Sequence, residues 1–449
     1  MPEVLNARRD WFGQPRGLSV LAFTEMWEVF SFFGMKTLLI YYMTKQLMMP
    51  QAQASLIYGG YSGLAYFTPL LGGLISDRWL GRRNAVIAGG LIMALGHFML
   101  TFPALFYPAL ATVAAGAGLY LPSLPSQIAG LFAADDPRRA SAYSVYYVGM
   151  NLGALLAPLV CGTLGELLGW HWGFGAAGVG MVIGVTVYCL GARHLPETAT
   201  RSPPSPAQRP VGGRDGLGSR FALIAVVAAV VVLFRAAYEQ IGNTLALWLD
   251  NGVDRRAGDW TIPMTWFQSI NPALIFLLTP LVMLAWTRQA RAGREPSPLV
   301  KMSLGAGLLG LAYLVLAGVA AVAQGEGVRP GWIWFALFAV ILTVGELFVM
   351  PVCLGLFGRL APAGFAATAM AFWFMTGFGG NLLAGALGVL WSRLPPSAFF
   401  ALMAAVAGLA AGLLWLLDPA ARAAERRAEA ARGPAEPATR AGAALPSAF

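Results

Sequence analysis

The chain has 449 residues, of which 57% are hydrophobic and only 11% charged, and its mean hydropathy is +0.64. Soluble domains carry about 25% charged residues, so the composition excludes a string of ordinary water-soluble domains and points to a membrane protein. The net charge of +9 is not a nucleic-acid signal, because the basic residues lie in short stretches between apolar runs.

Met1 to Arg16 is polar, lacks the apolar core of a cleavable signal peptide, and leads directly into the first apolar run. About 20 apolar residues cross a bilayer as a helix. Twelve segments qualify, near 17–44, 54–76, 84–102, 106–132, 141–168, 172–192, 219–249, 260–286, 299–323, 331–359, 364–392 and 397–417. Several exceed the minimum and are expected to tilt or protrude. Cys161, Cys189 and Cys353 lie in apolar runs without CxxC or Cys/His spacing and read as small packed hydrophobes. The stretch "HLPETATRSPPSPAQRPVGGRDGLGS" between the sixth and seventh segments is too rich in Pro, Gly, Ser and Arg to bury a core and reads as a flexible linker. From Ala420 the chain begins as a charged helix with a solvated surface and passes into low complexity. The expected organisation is therefore an N-terminal segment 1–16, a six-helix bundle 17–193, a linker 194–218, a second six-helix bundle 219–417, and a tail 418–449.

Of the 30 Lys and Arg, 23 fall on the side of the termini, five on the other side, and Lys36 and Arg235 inside spans. Cytoplasmic loops carry the excess of basic residues, which places both termini in the cytoplasm. The Ala, Arg and Gly-rich composition suggests a GC-rich bacterium, and with it the bacterial plasma (inner) membrane. Two six-helix bundles joined by one cytoplasmic linker is the plan of secondary transporters that rock around a midplane site. No P-loop, substantial soluble domain or selectivity-filter sequence is visible, so neither ATP-driven pumping nor an enzyme is expected.

Six ionisable residues stand inside the apolar runs: Glu25, Glu28, Lys36, Arg235, Glu239 and Glu346. Each costs about 2.5–3.5 kcal/mol near the bilayer centre on insertion scales, and such groups face a cavity or a partner. Glu25 and Glu28 are one turn apart and share a helix face. Two carboxylates that close hold a proton more readily than one alone, the chemistry of a proton carrier; a static cluster with Lys36 or Arg235 is the structural alternative. Arg235 and Glu239, four apart, are placed to pair along one face, for structure or for gating. Glu346, in "LTVGELFVMP" with Pro351 five residues on, suits binding of a substrate amine or protonation, and a buried neutral acid is the alternative.

These residues lie in motifs that resemble the proton-dependent oligopeptide transporters of the major facilitator superfamily. "FTEMWEVFSFFGMKTLL" is similar to that family's first-helix ExxERFxxYGM pattern, and "YFTPLLGGLISDRWLGRRNAVIAGGLIMALGH" to its second and third helices with their DRWLG(K/R)R loop. "YYVGMNLGALLAPLVCGTLGELLGWHWGFGAAGVGM", "YEQIGNTLALWLDNGVD", "WFQSINPALIFLLTPL", "VGELFVMPVCLGLFGRLAP" and "FWFMTGFGGNLLAG" continue the resemblance from Gly17 to about Leu417. Many bacterial members carry two extra helices in the central connection, for which this linker is too short. The resemblance implies an all-α, twelve-helix major facilitator fold, alternating access, a proton gradient in place of any cofactor, and a peptide or peptide-like substrate; a monomer is expected. By position it implies proton coupling at Glu25, Glu28 and Glu239, a substrate amine at Glu346, and pocket lining by Asn151, Asn271 and Trp373. Asp77, Arg78 and Arg82 would hold a cytoplasmic gate, Arg78 or Arg82 pairing across the bundles.

The chain departs from the family at positions that carry charge. The arginine of the first-helix motif is Val29, the fourth-helix lysine of GxxKPN is Leu121 and its asparagine Ser123, and the first-helix tyrosines are Phe32 and Phe33. Those cations hold a peptide's carboxylate in the family; a hydrogen bond to a charged group is worth ~1.5–3 kcal/mol, so recognition of a free carboxylate is expected to change. Three readings stay open. In the first, Arg235 substitutes as the carboxylate anchor, with Lys36 also at the substrate site; in the second, the substrate lacks a free carboxylate, as in amines, modified peptides or aromatic natural products. The third is a ligand sensor that does not transport.

Overall fold

The computed structural model describes residues 13–132, 136, 138–196, 217–361 and 365–432. The first twelve residues, most of the expected linker (197–216) and the last stretch of the tail (433–449) lie outside the described residues. Two compact units divide the chain: Met1–Ser202 with Ile241–Ala273, and Pro203–Gln240 with Leu274–Phe449.

In the first unit, α1 (Arg16–Tyr41) starts after Pro15, whose fixed extended geometry closes off the preceding chain, and ends in a wide turn at Tyr42–Gln46. Then come α2 (Gln51–Ile75), α3 (Arg82–Met99), α4 (Phe106–Ser123), α5 (Arg138–Ala157), the short α6 (Thr163–Leu167) and α7 (Trp170–Gly191). The tight turn from α2 into α3 falls at Gly81, whose φ of 73° is open to glycine at no steric cost. Helix α1 packs against α5 and α7, α3 against α4 and α7, and α2 against α4. The α1–α5 contact is close enough that a Cβ at Gly153 would collide with the backbone at Met26 and Phe30. In the loop before α5, Arg138 donates to both Asp136 oxygens, at 2.6 Å from Nη2 to Oδ2, and holds that carboxyl below the usual carboxylate range. Its Nη1 reaches the Gly13 carbonyl at 3.3 Å.

The second unit contains α8 (Leu217–Tyr238), most of α10 (Ile270–Arg291), α11 (Pro298–Glu326), α12 (Ile333–Leu360), α13 (Ala366–Gly388) and α14 (Pro396–Arg432). Between α8 and α10 the chain passes through the first unit as α9 (Thr244–Asn251), an antiparallel hairpin of β1 (Arg256–Ala257) and β2 (Trp260–Thr261), and a 3-10 turn at Met264–Ser269. Helix α11 packs against α12 and α14, and α8 against α13 and α14. It is capped at both ends: the Ser297 hydroxyl accepts from the Val300 amide, and Gly327 closes it in the left-handed conformation.

The twelve expected spans are present. Ten are long and apolar enough to cross a membrane by composition; α2 and α3, richer in glycine and polar residues, complete the set. Three of the differences from the hydropathy reading have a plain local cause or bear on the site. The seventh span is not one helix but is interrupted by a 3-10 turn at Glu239–Gly242, with Asn243 at φ −112°, ψ −98°. The eighth starts at Ile270 rather than near 260, because Gly258 turns the β hairpin and Pro263 keeps the following backbone extended. The twelfth runs past 417 to Arg432, since Ala, Glu and Arg are strong helix formers. That extension is docked rather than solvated on all sides: Asp418 bonds Ser297 and Arg422, and Glu425 accepts from Arg359 at 3.2 Å. Cys161 and Cys353 are buried in helical packing, whereas Cys189 is exposed on the apolar surface.

Candidate functional site

In the first unit the candidate residues gather on α1. Glu25 and Glu28 are 3% and 2% exposed, on one face of an uninterrupted helix. Their neighbours are aromatic hydroxyls. Tyr146 of α5 lies beside Glu25, and Tyr120 of α4 donates to the carbonyl of Thr24, the residue before Glu25, at 3.3 Å. Among the described residues Glu25 Oε2 has no hydrogen-bond partner. Val29 is buried among them, so the position next to Glu28 is filled by a branched aliphatic side chain. Further along the helix, Phe32 stacks on Tyr61 at 6.5 Å and meets Phe33 edge-on at 5.7 Å, while Phe33 is 38% exposed. Buried Lys36 lies over the Tyr58 ring at 5.6 Å, a cation–π contact.

The other first-unit candidates are more dispersed. Leu121 is half-buried on α4, and the neighbouring Ser123 hydroxyl bonds Ser76 at 2.9 Å and the Leu119 carbonyl at 2.7 Å. Asn151 spends its amide on its own helix, donating to the Tyr147 carbonyl at 3.0 Å. Asn271 is half-buried at the start of α10. Asp77 and Arg82 approach to 3.8 Å at an exposed turn, where Arg82 also reaches the Ser126 carbonyl at 3.2 Å, and Arg78 is exposed. The residues expected to gate are therefore brought together on one turn.

In the second unit Arg235 and Glu239 pair as their spacing predicts, at 4.0 Å, both nearly buried. The guanidinium also lies 4.7 Å over the Trp373 ring of α13. Glu239 stands where α8 gives way to the 3-10 turn, and next to it Gln240 donates to the Ala384 carbonyl of α13 at 2.9 Å. The acid thus sits at an interruption fastened from α13. Glu346 is half-buried on α12, one turn before Pro351 enters the helix.

The sequence reading passed over a polar layer at the end of the first unit away from the termini. Glu166 of α6 accepts from the amides of Met264 and Thr265, Lys45 pairs with Asp250 at 2.7 Å, and Ser55 donates to Asn243 at 2.8 Å. Glu166 and Asp250 sit at the ends of apolar runs, where a charge looks like a loop residue. Their partners are remote in sequence, so no spacing rule exposes them.

The sequence profile of the POT family (PTR2) matches residues 83–208 and 219–399. The chain belongs to the POT family. Curated relatives of this POT chain include YclF, named an uncharacterized transporter, of Bacillus subtilis, 30% identical over 92% of this chain and 95% of that one. The peptide transporter YePEPT of Yersinia enterocolitica is 30% identical over 85% and 88%. A di-/tripeptide transporter of Lactococcus lactis subsp. cremoris is 28% identical over 93% and 97%. Among solved structures, a peptide transporter POT in complex with sulfate superposes with a TM-score of 0.86 at 27% identity, covering 93% of this chain and 97% of that one. At the level of its family this is a multi-pass membrane peptide transporter of the major facilitator fold, not an enzyme, and POT proteins are coupled to protons.

Proposed function

We propose that the chain is a proton-coupled symporter of peptide-like substrates, working by alternating access in a bacterial inner membrane with both termini cytoplasmic, and that it does not hold a substrate carboxylate as its relatives' motifs would. One observation carries this: Glu25 and Glu28 are buried side by side on α1 with apolar Val29 in the motif's cationic position. Buried charge that has lost its partner is destabilising by several kcal/mol, and protonation relieves it. In this reading Glu25 and Glu28 take and release the proton, Glu239 couples it to movement of the broken seventh span, and Glu346 receives the substrate's amine. Phe32, Phe33, Asn151, Asn271 and Trp373 shape the pocket. Asp77, Arg78 and Arg82 serve the cytoplasmic gate.

A second observation narrows the substrate. Arg235 is engaged by both Glu239 and the Trp373 face, and Lys36 by the Tyr58 ring; Leu121 offers only hydrocarbon. This favours substrates that need no cation for a free carboxylate, such as amidated, cyclic or otherwise modified peptides and amines. POT structures determined with 5-aminolevulinic acid and with a thioalcohol-conjugated peptide support ligand chemistry beyond plain dipeptides on this fold.

A melting panel of the purified protein against free dipeptides, amidated dipeptides and aromatic amines tests the substrate reading. A ligand at one hundred times its Kd stabilises by about 2.7 kcal/mol. Amidated or amine ligands should raise the melting temperature at least as much as free dipeptides; stabilisation by free dipeptides alone would overturn it. Proteoliposomes with an inward pH gradient should then accumulate the stabilising ligand, and failure to accumulate it would defeat the symporter reading.

A further inference from the structure

The segment 241–273 lodges in the first unit although both of its ends continue into the second. Its fastenings are specific. Glu166 accepts from Met264 N at 3.1 Å, Thr265 N at 2.8 Å and Thr265 Oγ1 at 2.5 Å. The Trp266 indole donates to Thr163 Oγ1 at 2.7 Å, and Ser269 Oγ donates to the Leu155 carbonyl at 2.8 Å. Pro263 starts this turn, so the amides of 264 and 265 have no carbonyl one turn earlier to bind, and a carboxylate aimed at both satisfies them in one contact.

We propose that Glu166 is a positioning residue of the transport cycle. Its carboxylate holds the 264–269 turn against α6, and opening of this end of the protein to the outside requires that set of bonds to part. The inference rests on the alternating-access reading above. Glu166 needs no contact with substrate; it acts through Met264 and Thr265. The geometry suits a latch rather than a permanent weld. Apart from the Ser269–Leu155 bond to α5, the set joins one short turn to one short helix, and a single carboxylate serves three donors, so those contacts are lost together. Glutamine at 166 keeps one acceptor oxygen but turns an amide N–H toward the turn, which removes the charge and at least one of the bonds.

The test uses the full chain in liposomes, with the three native cysteines replaced by alanine and Ser269→Cys as reporter. Ser269 is buried, so a membrane-impermeant maleimide added outside labels the cysteine only when this end opens. No substrate or proton gradient is needed, so a failure of the symport reading leaves the measurement intact. Glu166→Gln should raise the labelling rate roughly tenfold or more, as expected for loss of a charged hydrogen bond. A cysteine at Ala312, buried in α11, should stay unlabelled. An unchanged rate at 269 would overturn the proposal. So would labelling that rises equally at 269 and 312, because that marks a general loosening. If Glu166→Gln does not fold, Thr265→Val, which deletes only the hydroxyl donor, should still raise labelling at 269 about threefold, and no rise would count against the latch.

Discussion

On α1 of the first unit, two carboxylates are buried within one turn of an unbroken helix and face tyrosine hydroxyls. On α8 of the second unit, one carboxylate is buried four residues from an arginine that is itself stacked on a tryptophan, at the point where the helix breaks. The bilayer penalises both arrangements, but they resolve the penalty differently. An ion pair with an aromatic face sets one buried charge against another. Two acids with no paired cation among the described residues are, in the proposed reading, kept buried by carrying a proton. In that reading the first arrangement takes and releases the proton, and the second couples it to movement of the broken span.

The most damaging way to break this contrast is to remove one half of the fixed pair. Arg235→Met should cost ~3–5 kcal/mol by removing one member of a buried ion pair, and Arg235→Met with Glu239→Gln should recover most of it. Thermal unfolding of the purified variants reads this directly, and a double variant as unstable as the single one would mean that Arg235 is not compensating Glu239. Next in size, Glu28→Gln should reduce proton-driven accumulation in proteoliposomes about a hundredfold while sparing substrate counterflow. That corresponds to roughly 2.7 kcal/mol, and equal loss of both activities would assign Glu28 to structure. Making α1 resemble the charged pair should sharpen the comparison from the other side. Val29→Arg with Leu121→Lys is expected to tighten binding of free-carboxylate dipeptides about tenfold in a melting assay, within the range of one charged hydrogen bond.

Smaller effects follow. Trp373→Leu should cost about 1 kcal/mol through the lost cation–π contact, visible as a lowered melting temperature, and should have no further effect in an Arg235→Met background. The smallest concerns Asp136, whose carboxyl Arg138 holds below the usual range. A depressed carboxyl contributes its stabilisation at neutral pH and loses it as pH falls through and below the ordinary carboxylate range. Protection of the Arg138 amide against hydrogen exchange, relative to an unstructured peptide at the same pH, should therefore fall below about pH 4, with no such step in Asp136→Asn.

Much of this architecture is legible in the sequence because the bilayer forces backbone polar groups into helices, and runs of apolar residues then count the spans. The Arg235–Glu239 pair is legible for an equally local reason, since four residues return to the same helix face. What escapes is whatever depends on partners far along the chain. Nothing near Glu239 announces that its helix stops, because Gly242 and Asn243 are common enough inside spans, and the anchors of that break, Ala384 and Ser55, lie in other helices. The burial of Glu25 and Glu28 follows from pattern, but the tyrosines around them come from α4 and α5. Glu166 is hidden doubly, by its place at the end of an apolar run and by partners about a hundred residues away. The role of each site residue is a further step from where it sits, and rests on the measurements proposed above.

The passage of 241–273 through the first unit also decides how this polypeptide tolerates being cut. A fragment that stops in the linker would contain α1 to α7 yet leave Glu166, Ser55 and the Tyr41 hydroxyl facing an empty berth, since Ala246, Asn243 and Thr265 come from beyond the cut. Two co-expressed halves divided there should reassemble only by donating this arm, much as a swapped segment completes a neighbour. Moving the cut beyond Ala273 would keep the berth filled and give a longer first fragment that is more stable by itself.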